Sequence, residues 1–215
     1  MPVSHVTITD ALIIFFLTLG PLKAIAPFNQ LTQGTDLAFR RNLAWQGTVI
    51  ATAIVIIVAL LSSVVLENWH VSIAAIVITG GIILFRQALQ LILHPSAVAP
   101  MPPPNVGQPM PTMGVAQFSL AIPALVTAPG IAAIAAFMAI AAGDWTQKGI
   151  VFVALLVIMG LNLVTLRNIE VFLKRGSSDL LKVVAWVMAV LQAALAAQYI
   201  INGLVRLGAL PGLAS

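Results

Sequence analysis

The segment Thr18-Leu19-Gly20-Pro21-Leu22-Lys23-Ala24-Ile25-Ala26-Pro27-Phe28 places one glycine and two prolines inside an apolar run long enough to cross a membrane. Proline lacks the N–H that a helix interior needs, and its ring clashes with the preceding turn, so Gly20-Pro21 predicts a broken helix. Lipid offers no hydrogen-bond partners to the backbone groups that such a break sets free. A break at this depth therefore indicates a site built around it.

A fainter copy of the segment follows 109 positions later, from Thr127 to Phe137, with the adjacent pair Pro129-Gly130 in its first turn. The identical positions are Thr18, Ala24, Ile25, Ala26 and Phe28 in the first copy and Thr127, Ala133, Ile134, Ala135 and Phe137 in the second. Two apolar segments that each contain adjacent proline and glycine predict two broken membrane helices, one in each half of the chain.

The composition identifies the class of protein. Of the 215 residues, 60% are hydrophobic and only 7% are charged, which is far too little charge for the surface of a soluble domain. We therefore expect a polytopic protein whose main partner is the lipid bilayer. No charge run or basic stripe indicates nucleic-acid binding, and without cysteine the chain forms no disulfide.

The apolar runs predict six membrane helices, since about 20 apolar residues cross a bilayer core. They cover Asp10 to Leu31, Leu43 to Leu66, Val71 to Leu93, Ala116 to Ala142, Ile150 to Leu166 and Val183 to Val205. Lys and Arg concentrate in the connections after the first and fifth runs, which predicts cytoplasmic odd-numbered connections and both termini outside.

Residues 94–115 contain seven of the thirteen prolines and no charged residue. They predict an extended cytoplasmic linker between a first three-helix repeat, residues 1–93, and a second, residues 116–215. Three helices per half reverse the direction of the second half, so the fold prediction is an all-α membrane protein of two inverted three-helix repeats, with helices 1 and 4 broken. Secondary transporters have this organisation, with sites near the membrane midplane.

The predicted solute site lies between the two breaks, at Gly20-Pro21 and Pro129-Gly130. The half-helix that follows each break begins with unpaired N–H groups and partial positive charge, which favour an anionic group. Thr18 and Thr127 are predicted polar liners. Lys23 is the candidate cation if it faces the cavity; the sequence equally allows its ammonium to extend to the cytoplasmic interface.

The third run contributes Thr79, Gly80 and Gly81. The two glycines allow close approach of another backbone, predicted to be the broken first helix. Thr79 shares a helical stripe with Arg86 and Gln90, so a polar face toward the bundle interior is predicted. Arg86 has the same two possible orientations as Lys23, toward the interior or toward the interface.

Catalytic and cofactor motifs are missing from the sequence. All six Asp and Glu residues lie at the ends of apolar runs, the three histidines are scattered, and no phosphate-binding glycine motif occurs. We therefore expect no enzyme activity, no cofactor and no bound metal.

Several sequence blocks together resemble the MarC family of six-helix integral membrane proteins across nearly the whole chain. They are Gly20-Pro21-Leu22 to Phe28, Val71-Ser72-Ile73, Ile78-Thr79-Gly80-Gly81, Leu120-Ala121-Ile122-Pro123, Ala128-Pro129-Gly130 and Gln198-Tyr199-Ile200-Ile201-Asn202-Gly203. The chain departs from the family pattern at Gly20, where asparagine is usual, and at Val77, where arginine is common. The resemblance, which extends to neutral amino-acid transporters and LysE-type exporters, implies a bacterial-type inner-membrane protein.

The sequence thus predicts a transporter or exporter of small carboxylate-bearing solutes, such as amino acids, that works by alternating access. The alternative is a structural or assembly protein that moves nothing and uses its prolines for packing. Binding of a small solute would distinguish the two, because a ligand that binds the folded state stabilises it.

Overall fold

The computed structural model describes residues 6–69, 72–93, 112–169 and 178–209. Throughout these ranges the regular structure is helical, without strands. The helices are α1 Ile8–Leu19, α2 Pro21–Leu31, α3 Leu37–Trp69, α4 Ile73–Leu93, α5 Met113–Ser119, α6 Ala128–Ile140, α7 Trp145–Arg167 and α8 Ser178–Arg206, with a π-helical segment Leu120–Leu125 between α5 and α6.

Five stretches, including the α1–α2 pair from Ile8 to Leu31, are long and apolar enough to cross a membrane, and a sixth arises when the bent segment from Met113 to Ile140 is counted as one span. The prediction of an all-helical membrane protein is confirmed, with five to six candidate spans. Residues 94–111 of the predicted linker lie outside the described residues, and α5 begins at Met113, inside the predicted linker. Many Leu, Ile and Val side chains on the outside of the bundle are exposed, as expected for a surface that contacts lipid.

Both broken spans end in the same kind of turn. Gly34 (φ 75°) and Gly143 (φ 84°) adopt the left-handed conformation, which glycine reaches without steric cost. An aspartate then starts the next helix: an Asp36 carboxylate oxygen accepts from Phe39 N–H at 3.0 Å, and one from Asp144 accepts from Thr146 N–H at 2.8 Å. These turns lie at corresponding places in the two halves of the chain.

The centre of the bundle is formed by α1, α2, α6 and α7. In the most apolar stretch of the α1–α2 span 71% of the residues are buried, whereas in α3 only 22% are. Phe15, Phe28 and Phe137 are fully buried, and the Phe15 and Phe137 rings meet edge to face with centroids 5.2 Å apart. The broken helices therefore occupy the interior, and α3, α4 and α8 cover them.

The glycine pair on α4 packs against two different helices. A Cβ placed on Gly81 would lie 3.0 Å from the Ala196 carbonyl oxygen of α8, and one on Gly80 would lie 3.6 Å from the Ala132 carbonyl oxygen of α6. The close backbone approach predicted for the two glycines is thus present. Its partners, however, are α8 and α6, and the predicted partner, the first helix, was wrong.

Candidate functional site

The first helix break is a single residue wide. Gly20 is extended (φ −72°, ψ 165°) between α1 and α2, and Pro21 occupies the first turn of α2. In an unbroken helix the carbonyls of Thr18 and Leu19 would accept from the N–H groups of residues 22 and 23. The break leaves both carbonyls in need of other donors.

Those donors come from the second half of the chain. The Thr127 hydroxyl donates to the Thr18 carbonyl oxygen at 2.9 Å, and the Asn162 Nδ2 on α7 donates to the Leu19 carbonyl oxygen at 2.8 Å. Asn162 is fully buried. This amide of α7 therefore holds the broken end of α1.

The second break is longer and holds its own cap. The chain leaves regular helix at Ile122 (φ −132°, ψ 123°) and resumes at Ala128, and the two arms differ in direction by 59°. The Thr127 hydroxyl oxygen accepts from Gly130 N–H at 3.1 Å, which is an N-cap on α6. The interruption is therefore wider than the Pro129-Gly130 pair alone predicts.

The two breaks meet directly. Besides the bond between Thr127 and Thr18, Gly130 packs against the side chain of Leu19, where a Cβ on Gly130 would lie 2.1 Å from Leu19 Cδ2. A side chain at position 130 would displace Leu19 from this contact. The polar groups of one break are thereby held against those of the other inside the bundle.

A cavity of about 570 Å³ opens beside this junction. Its size falls within the usual range of small-molecule sites, about 300 to 1,000 Å³. The lining residues are Lys23, Pro27, Ile82, Ile83, Arg86, Gln87, Gln90, Leu91, Pro123, Ala124, Thr127, Ala128 and Pro129. The cavity thus lies between α2, α4 and the start of α6.

Lys23 extends into the bundle interior. Its ammonium donates to the side-chain oxygens of Gln87 on α4 and Gln192 on α8, at 3.3 Å each. Gln192 Nε2 in turn donates to Gln87 Oε1 at 3.0 Å and to the Leu84 carbonyl oxygen at 3.4 Å. Of the two orientations that the sequence allows for Lys23, the structure has the one facing the cavity.

Arg86 also lines the cavity, and its side chain is exposed. Arg86 and Gln90 share a stripe of α4 with Thr79, as predicted, and all three are exposed. Thr79 does not line the cavity, because the stripe reaches the cavity only in the later turns of α4. Asp and Glu do not occur among the described residues that line this space.

The ten residues of the predicted site divide into three groups. Lys23, Thr127 and Pro129 line the cavity; Thr18, Gly20, Pro21 and Gly130 are buried at or beside the breaks; Thr79, Gly80 and Gly81 lie on α4 away from them. The Thr18 hydroxyl donates to the Ile14 carbonyl oxygen at 2.8 Å, so it is engaged within its own helix.

Three residues at the site were not predicted from the sequence: Gln87, Gln192 and Pro123. Pro123, six residues before Pro129, was the available signal for a wide second break. Gln192 has no local signal, because its role depends on which side chain the neighbouring helix brings to it. Within the ranges that the structure describes, no group of three or more His, Asp or Glu could hold a metal.

Comparison with known proteins identifies similar sequences. The sequence model described as MarC family integral membrane protein matches residues 5–207. A UPF0056 membrane protein of Methanocaldococcus jannaschii is 28% identical over 189 residues, which cover 88% of this chain and 91% of that protein. A UPF0056 membrane protein of Archaeoglobus fulgidus is 27% identical over 200 residues, covering 88% of both. No solved structure matches the chain significantly.

Proposed function

Because the chain belongs to the MarC family of integral membrane proteins, we propose that it is a secondary transporter or exporter of small carboxylate-bearing solutes. Amino acids and related metabolites are the candidate solutes, and alternating access is the proposed mechanism. The observation that carries this proposal is the meeting of two helix breaks, at Gly20 and Thr127, beside a cavity that contains a lysine. Catalysis forms no part of it.

The repetition within the chain supports alternating access. Thr18 and Thr127 each lie beside a helix break, Gly34 and Gly143 each form a left-handed turn, and both pairs are separated by the same interval. We propose that residues 1–93 and 116–215 are inverted three-helix repeats, since transporters of this kind rock one repeat against the other around a central site. Both termini then lie outside the cell membrane, as the distribution of Lys and Arg favours.

The chemistry of the cavity supports a solute that carries a carboxylate. Lys23 provides a cation, Gln90 an amide, and α6 begins at the cavity wall with the positive end of its dipole. A carboxylate bound there would gain charge-assisted hydrogen bonds, which are stronger than neutral ones. The apolar remainder of the lining, including Ile82 and Leu91, suits a short aliphatic body.

The test is a solute screen by thermal unfolding of the purified protein in detergent, followed by flux of each hit in liposomes. A true ligand at 100 times its Kd stabilises the folded state by about 2.7 kcal/mol. Lys23→Met should reduce binding and flux, and Lys148→Met, which removes the same charge outside the cavity, should leave both unchanged.

Two results would contradict the proposal. If no carboxylate-bearing solute stabilises or crosses, the chain moves nothing of this class, and the structural alternative gains support. If Lys23→Met is folded and transports as the wild type does, Lys23 is not part of the site.

A further inference from the structure

The cavity beside the helix breaks contains more positive charge than a zwitterionic solute can balance. Lys23 and Arg86 both line it, and the described residues around it include neither Asp nor Glu. The described acidic side chains Asp10, Asp36 and Asp144 lie at the starts of α1, α3 and α7. The cations of the cavity therefore have no carboxylate of the described lining to pair with.

The polar neighbours of Lys23 solvate its ammonium without neutralising it. Both of its hydrogen-bond partners, Gln87 and Gln192, are uncharged amides. A charge taken from water without a counter-ion is costly in a low-dielectric interior, and a bound anion offsets that cost. Lys23 is thus positioned to bind an anionic group that enters from the cavity.

Two of the first three residues of α6 have no free N–H to donate to such an anion. Pro129 has no N–H, and the N–H of Gly130 already donates to the Thr127 hydroxyl. The field of the helix end still favours negative charge. The remaining donors of the lining are the Ala128 N–H, Lys23, Arg86 and the side-chain amides of Gln87 and Gln90, and among them only Lys23 and Arg86 carry a positive charge.

A zwitterion would bring an ammonium group into the same space. The described lining offers that ammonium no carboxylate, and Gln87 Oε1 already accepts from both Lys23 and Gln192. Its charge would also be repelled by Lys23 and Arg86. A solute with a second carboxylate in place of the ammonium avoids the repulsion and can use both cations.

We infer that this protein selects a small dicarboxylate over a neutral amino acid, through Lys23 and Arg86. The inference rests on the proposed function and names the charge class of its solute. Lys23 binds one carboxylate within the bundle, and Arg86, whose side chain is exposed, binds the other at the open side of the cavity.

The experiment measures thermal unfolding in detergent, and then liposome flux, for three matched probes: succinate, butyrate and alanine. Wild-type protein should be stabilised most by succinate and least by alanine. Lys23→Gln and Arg86→Gln should each weaken succinate binding about 10- to 100-fold, as expected for loss of a charge-assisted hydrogen bond. Lys148→Gln, which removes a charge from α7 outside the cavity, should leave succinate binding unchanged.

Sulfate at equal ionic strength is the salt control. Equal stabilisation by sulfate would overturn the inference, since the gain would then be a general effect of a dianion. Arg86→Gln changes an exposed side chain and should therefore fold. It provides the test if Lys23→Gln does not fold.

The outcomes separate the two proposals. Tighter binding and faster flux of alanine than of succinate would overturn the inference and leave the proposed transport function standing. Succinate binding that is unchanged in both folded variants would also overturn the inference. If none of the three probes, and no other carboxylate, binds or crosses, both proposals fail.

Discussion

The two helix breaks differ in how the backbone groups that they free find hydrogen-bond partners. At the first, one extended glycine separates α1 from α2, which has no side-chain cap, and the two helices still run as a single span from Ile8 to Leu31. At the second, several residues leave the helix, the arms bend by 59°, and Thr127 caps α6. The first break is narrow and has no side-chain cap of its own, whereas the second is wide and is capped by Thr127, a residue of the same segment.

This difference shows that the first break depends on the second half of the chain. The freed carbonyls of Thr18 and Leu19 accept from Thr127 and Asn162, both more than 100 residues away in sequence. The cap on Gly130, by contrast, comes from three residues before it. Substitutions in the second half should therefore loosen the first break, most strongly at Gly130, less at Asn162 and least at Thr127.

Gly130→Val should have the largest effect, a loss of about 3 kcal/mol in the free energy of unfolding, because overpacking a tight contact is costly. Even a Cβ would overlap the Leu19 side chain, so Leu19 or the start of α6 must move. The measurement is unfolding in mixed detergent micelles. Gly160→Val is the matched control, since nothing lies within 4 Å of a Cβ on that glycine. Equal losses in the two variants would show that the contact between the breaks contributes nothing.

Asn162→Leu should cost about 2 kcal/mol, since it leaves the buried Leu19 carbonyl without its donor. The expected sign is a loss even though leucine adds apolar surface. Hydrogen exchange should also rise at the start of α2, where the break would loosen. Asn168→Leu, at an amide that donates to Val164 within an exposed turn, is the control and should change stability by roughly 0.5 kcal/mol or less. A stabilised Asn162→Leu protein would contradict the dependence of the first break on α7.

Thr127→Val should cost about 1 kcal/mol, the typical value of an N-cap, because it keeps the shape and removes the hydroxyl. That hydroxyl serves both breaks, donating to Thr18 and accepting from Gly130. Thr52→Val removes a hydroxyl that bonds only within its own helix, to Thr48, and should be nearly neutral. If the two variants lose equal stability, the bridge between the breaks is not what the Thr127 hydroxyl contributes.

Asp144 gives the smallest effect, and it depends on pH. The backbone N–H groups of Thr146 and Gln147 hold the pKa of this carboxyl below its ordinary value of 3.8. A carboxyl whose pKa is lowered by folding stabilises the protein above the unfolded value and loses that contribution as the pH falls through the folded value. The thermal midpoint of the wild type should therefore fall slightly in strong acid, and less so in Asp144→Asn. An identical acid response in both proteins would show that the cap contributes nothing measurable.

Much of the fold follows from the sequence because its signals are local. The candidate spans follow from apolar length, and the break at Gly20-Pro21 follows from a missing N–H at a known position. Pro129-Gly130 predicts a break near its observed position but a narrower one than the structure has, because the effect of Pro123 depends on how the chain bends between the two prolines. The left-handed turns coincide with Gly34 and Gly143, where glycine is the least strained choice.

The site followed from the sequence only in part, because helix rotation is not a local property. Periodicity correctly groups Thr79, Arg86 and Gln90 on one stripe, yet only the last two reach the cavity. The orientation of Lys23 is likewise set by Gln87 and Gln192, which two other helices supply. Sequence spacing predicts which residues share a face; tertiary packing determines what that face meets.

The dependence of the first break on Thr127 and Asn162 also imposes an order on biogenesis. The ribosome delivers the Gly20 break to the membrane well before α6 and α7 are synthesised. During that interval the carbonyls of Thr18 and Leu19 lack the donors that they have in the complete protein. The first span cannot reach its final form during its own insertion. Its completion is a late event, and it occurs only in a chain whose second half has arrived.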